Sequence, residues 1–155
     1  MTPLQFAQSL AGQLAGVSPF SSPFTLPFGG TSHLLLPQGI HAQLGNVVID
    51  CAGTWVTIIN TNERDLSGCG TVEMADVNVV AALDCAFVAH EDGTTNWPAM
   101  DAVMGQLDVV TAELAEWARG LVEADRWAGA AFNGTAWTLE GGLAIVTIGM
   151  TLPVP

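Results

Sequence analysis

The sequence predicts an α+β domain in which an antiparallel sheet of about four to five strands packs on one long helix, preceded by an N-terminal helix. Three observations predict it. Apolar side chains from Met100 to Leu121 step by three and four, the spacing of one helical face. Two other stretches, Thr71 to Ala89 and Leu143 to Leu152, alternate with the period of two that a half-buried strand requires. No regular alternation of strand and helix patterns runs through the chain, which argues against a parallel, doubly wound sheet. At 155 residues the chain is of single-domain size and long enough to bury roughly two thirds of the surface its unfolded form exposes. It divides into an N-terminal helix over 1–17, a loop-rich arm over 19–45 and an α+β core over 47–152.

Each element has its own local reasons. Thr2 is placed to cap a helix and Pro3 suits its first turn, after which Leu4, Ala7, Leu10, Leu14 and Val17 form one face. Gly16 and Pro19 close it. From Pro19 to Pro37 four prolines, three phenylalanines and Gly29-Gly30 follow without a steady period, and Pro23 and Pro27 forbid a continuous helix. Phe20, Phe24 and Phe28 then belong to an extended arm expected to pack on a neighbouring subunit. Val47 to Cys51 and Trp55 to Ile59 read as two strands rich in β-branched residues and separated by Gly53. Asn60 to Gly70 reads as a polar loop.

The apolar row Val77, Val79, Ala81, Leu83, Cys85 and Phe87 makes the next strand, long enough to extend past its sheet. His90 to Asn96 has turn chemistry, and Trp97-Pro98 starts the long helix. Its stripe is Met100, Val103, Met104, Leu107, Val110, Leu114, Trp117 and Leu121, with Asp101, Asp108, Glu113 and Glu116 off it. A short strand over Ala136 to Leu139, the turn Glu140-Gly141-Gly142 and a final strand over Leu143 to Leu152 complete the order.

Charge narrows the function classes. Fifteen carboxylates face three arginines and no lysine, a formal net charge of −12, yet half the residues are hydrophobic. Such a field repels nucleic acid and anionic lipid, because close phosphate contact needs clustered Lys or Arg. Only 12% of residues are charged, against about 25% in an average soluble domain, so much of the surface is expected to lie against other subunits. The longest apolar run, Val79 to Leu83, is far short of the ~20 residues that span a bilayer. No membrane segment is expected. The absence of a basic, apolar leader pattern and the odd number of cysteines argue against a secreted disulfide framework. Asn133-Gly134-Thr135 reads as a turn rather than a glycosylation acceptor.

Catalytic patterns are absent. Cys85, His90, Glu91 and Asp92 cluster in sequence, but their spacing is not that of a zinc site, and His33 and His41 sit in an unrelated segment. Cys51, Cys69 and Cys85 read as reduced, mostly buried and inert, since the chain has almost no cation to stabilise a thiolate. The carboxylates fall singly or in pairs, a solvated face rather than acid/base machinery. Trp55, Trp97 and Trp117 are accounted for by a strand, a helix start and a helix stripe, while Trp127 and Trp137 are unassigned. No enzyme activity, catalytic residue, cofactor or metal is expected.

Ile49-Asp50-Cys51, Gly68-Cys69-Gly70, the strand ending near Cys85, the turn with Gly93 and Pro98, the long helix and Glu140-Gly141-Gly142-Leu143 occur in an order that resembles the small neck proteins of actinobacterial long-tailed phages. These are head-to-tail connector or tail-terminator-like proteins. The resemblance covers residues 40–152 and departs at Asp84-Cys85-Ala86-Phe87, where that family carries arginine before the cysteine and proline soon after. It implies a virion structural protein, a tail terminator whose subunits form a homo-oligomeric ring, a hexamer, that caps the tail tube and joins it to the head. The implied partners are neighbouring neck and tail-tube proteins, and the implied places are the virion and, during assembly, the host cytoplasm. A lumen lined with carboxylates would let DNA pass without specific binding. The candidate interface residues are Phe20, Phe24 and Phe28 in the arm, Glu63, Arg64 and Asp65 in the Asn60 to Gly70 loop, and Glu91 and Asp92 before the helix. A head-completion or adaptor ring is the alternative within this class. Outside it stand a small acidic monomeric binding module and an unrecognised hydrolase, both of which require a concave site.

Overall fold

A computed structural model describes residues 1–17, 20, 24–25, 31–32, 40–85 and 89–155. Helix α1, Pro3–Leu14, opens with a capping box in which the Thr2 hydroxyl accepts from the Gln5 amide and the Gln5 side chain accepts from the Thr2 amide. It buries Phe6, Ala7, Leu10, Ala11 and Leu14. Leu4, expected on that face, is 39% exposed. Phe6 and Ala11 complete the stripe in its place.

Five strands form one mixed sheet. They are β3 (His41–Leu44), β4 (Gly53–Asp65), β5 (Thr71–Asp84), β6 (Ala131–Glu140) and β7 (Leu143–Pro153), in the spatial order β3-β4-β5-β7-β6. All neighbours are antiparallel except β3 and β4. Central β5 runs between β4 and β7 and places Ala75, Val77, Val79, Ala81 and Leu83 on one face with Val146, Ile148, Met150 and Leu152 of β7. Both helices cover that face, α1 beside β3 and β4, and α2 (Trp97–Ala124) across β7, β6 and β5. A two-layer α+β domain results. A two-residue turn joins β6 to β7, and the positive φ of Gly141 (58°) and Gly142 (76°) is what such a hairpin demands.

Several boundaries differ from the sequence reading. Val47 to Cys51 is not a strand. It belongs to the connection that carries the chain from β3 to parallel β4, and it lies on the sheet's second face, where Val47 and Ile49 pack on Trp55, Val80, Ala82, Leu143 and Ile145. Val48 points outward and is 88% exposed. The β-branched residues Val47 and Ile49 serve burial on this face, and no ladder hydrogen bonds are involved. The strand paired with β4 is instead His41–Leu44, where His41 stacks on Trp55 across the pair at 6.0 Å. The Thr57 hydroxyl ties the connection down by donating to the Gly45 carbonyl.

Asn60 to Asp65 continues β4 after a bulge between Ile58 and Asn60, so the loop shrinks to residues 66–70. Likewise β6 begins five residues earlier than expected, with a bulge between Phe132 and Gly134. In the arm, Phe24–Thr25 (β1) pairs antiparallel with Thr31–Ser32 (β2). Most of the arm, and Phe87 of the apolar row, lie outside the described residues.

Candidate interaction surfaces

The residues singled out from sequence do not form one surface. Phe20 is fully buried in the same core as Leu10 and Leu14, so its own chain holds it and it is not offered to a neighbour. Phe24 stands in β1, and Phe28 lies outside the described residues. Glu63, Arg64 and Asp65 end β4, whereas Glu91 and Asp92 sit in the exposed turn beyond the far end of β5. The fourteen residues of β5 separate the hairpin end that carries Glu63, Arg64 and Asp65 from the strand end that precedes the Glu91 turn.

Arg64 was expected on an exposed loop and is used internally. Its guanidinium donates to the Gly129 carbonyl at 2.8 Å and the Ala128 carbonyl at 3.4 Å, tying the β4–β5 hairpin to the turn after α2. Gly129 has φ 85°, and a Cβ there would stand 1.7 Å from the Arg64 Nη1. Only glycine permits that approach. The other two arginines are also engaged, Arg119 over the Phe132 ring at 4.8 Å and Arg126 with Glu123 at 2.9 Å. Every arginine of the chain therefore has an intramolecular partner, carbonyls for Arg64, a ring for Arg119 and a carboxylate for Arg126.

The groove that sequence reasoning missed lies between α2 and β6, the last strand in the sheet order. Alternation along β6 turns Trp137 and Leu139 toward α2, as their partners Val146 and Ala144 show by their place in the core. The Trp137 indole nitrogen donates to the Thr111 hydroxyl at 3.1 Å, and that hydroxyl donates to the Leu107 carbonyl at 2.7 Å. This chain of bonds fixes the ring while leaving Trp137 58% exposed. Met104, Leu107, Asp108, Trp137, Thr138 and Leu139 line a cavity of about 280 Å³. The only signal in the sequence was an unassigned tryptophan two residues from a leucine. That Trp137 meets Thr111, 26 positions away, is decided by the tertiary fold.

The cysteines also depart from expectation, because Cys51 and Cys69 are exposed and only Cys85 is buried. Desolvation and the hydrogen bond and charge of neighbouring Asp50 raise the Cys51 thiol, while burial and the Asp84 charge raise Cys85. Both are thus poor thiolates near neutral pH. Asp92 is lowered instead, by the Thr94 hydroxyl at 2.6 Å and the Thr94 amide at 3.0 Å. Among the described residues no three His, Cys, Asp or Glu side chains are placed to share a metal ion, and no helix is long and apolar enough to cross a membrane. Compared with protein-family models, curated proteins and solved structures, the chain matches none.

Proposed function

We propose that the protein is a non-enzymatic structural subunit of a phage neck, a tail terminator that assembles into a ring on the tail tube. The observation that carries this reading is that large apolar side chains are exposed on separate parts of the molecule. Leu44 ends β3 and Val48 lies in the β3–β4 connection, Trp127 stands by the β4–β5 hairpin loop, Trp97 opens α2, and Trp137 and Leu139 line the groove between α2 and β6. Isolated apolar residues are ordinary on a monomer, but three tryptophans each more than half exposed suit a subunit with neighbours on several sides. Low charge density and the resemblance over residues 40–152 support the same reading.

Six copies of −12 each would surround a lumen with carboxylates, and like charge would keep passing DNA from adhering. Mass measurement in solution with electron microscopy of the concentrated protein, alone and mixed with tail tubes, tests the reading. Closed rings, free or seated on tube ends, are expected. A protein that stays monomeric under both conditions and caps no tube would overturn it.

A further inference from the structure

We propose that the groove between α2 and the outer edge of β6 is a strand-addition site for an extended, cationic segment of a partner protein. The backbone supplies the first argument. Strand β6 ends the sheet order, and among the described residues no strand pairs with its outer side, so one row of N–H and C=O groups over residues 131–140 faces outward. An added strand would satisfy that row and place alternate side chains on the helix side of the sheet, beside Trp137 and Leu139.

The floor supplies the second argument. The cavity of about 280 Å³ beneath that edge is lined mainly by Met104, Leu107, Trp137 and Leu139. The Thr111 hydroxyl holds the indole at 3.1 Å, so the ring is preorganised and little side-chain entropy remains to be lost on binding.

Charge selects the occupant. Asp108 lines the cavity, and Asp101, one heptad earlier, shares its helix flank and is exposed. No arginine offsets them there, because all three are engaged elsewhere with carbonyls, a ring or Glu123. The rim is therefore acidic, and a segment with apolar residues facing inward and lysine or arginine at its ends complements both floor and rim. The inference stands independently of the virion reading, since it uses only this edge, this cavity and these carboxylates.

The test uses the whole protein and a nine-residue peptide. Its odd positions read lysine, valine, isoleucine, valine, lysine, with threonine between, so all five point to one side of an extended strand. Calorimetry should show binding that weakens with salt, and hydrogen exchange should slow at β6 amides. A glutamate-ended version should bind at least tenfold more weakly, and a version with proline at its centre should not bind. Charge reversal at Asp101→Lys with Asp108→Lys should invert the preference between the two charged peptides, and Trp137→Ala should weaken both while leaving the melt near wild type. Equal binding of the charged peptides, binding without β6 protection, or no binding by the lysine peptide would overturn the proposal. So would β6 protection that grows with concentration of the free protein alone, because a second copy would then be the occupant.

Discussion

Gly129 shows how one residue couples two distant segments. Gly129→Ala adds backbone strain at φ 85° and drives Arg64 from its two carbonyls, a loss of about 2–3 kcal/mol. In an Arg64→Ala background the same change should cost only the strain, about 1–2 kcal/mol. Denaturant melts of the four proteins would check this, and strict additivity would contradict the packing described. Thr54 makes the opposite case. Its hydroxyl is fully buried without a hydrogen-bond partner, so Thr54→Val should stabilise by about 1 kcal/mol. Thiol labelling should modify Cys51 and Cys69 in the native protein and reach Cys85 only on unfolding, as their exposure dictates. Asp92 also gives a pH prediction. Its carboxyl is held below the usual value by Thr94, so the turn is stabilised above the ordinary carboxylate pKa and loosens as pH falls through the lowered one. A pH titration of the Thr94 amide by NMR should report this, and an amide unchanged through acid titration would contradict it.

The long helix is the element most legible in the sequence. Val103, Leu107, Val110 and Leu114 are buried as their spacing demanded. Leu114 is fully buried, so Leu114→Asp should abolish cooperative folding by placing an unpaired charge against the sheet, while Glu113→Ala should be close to neutral. Circular dichroism melts decide between them, and a wild-type melt for Leu114→Asp would refute the facing. Strands were less legible at their ends. Glu63, Arg64 and Asp65 read as loop because polarity on both faces of an exposed hairpin hides the period of two, and only pairing with Thr71 to Glu73 makes them strand. Val47 to Cys51 erred the other way, since a crossover lying on an apolar sheet face carries the β-branched residues that otherwise mark a strand.

At the scale of the whole molecule, a main core under the helices and a smaller cluster on the sheet's second face leave other large apolar residues exposed, and assembly should cover them. Ring formation is therefore expected to protect Leu44, Val48 or Trp127 from solvent, which hydrogen exchange and tryptophan quenching on free and assembled protein would register as slower exchange and reduced quenching. Unchanged signals on assembly would mean that the contacts lie elsewhere. The sequence by itself determined the α+β class, the long amphipathic helix, the Gly141-Gly142 hairpin and the acidic surface, because each follows from periodicity, turn chemistry or charge within a short window. Only the tertiary structure decided that β3 runs parallel to β4, that Phe20 is core, that all three arginines are engaged within the chain, and that Trp137 and Met104 share a groove. Those outcomes depend on contacts between residues far apart in the chain, and a local pattern holds no record of which distant group a side chain will meet.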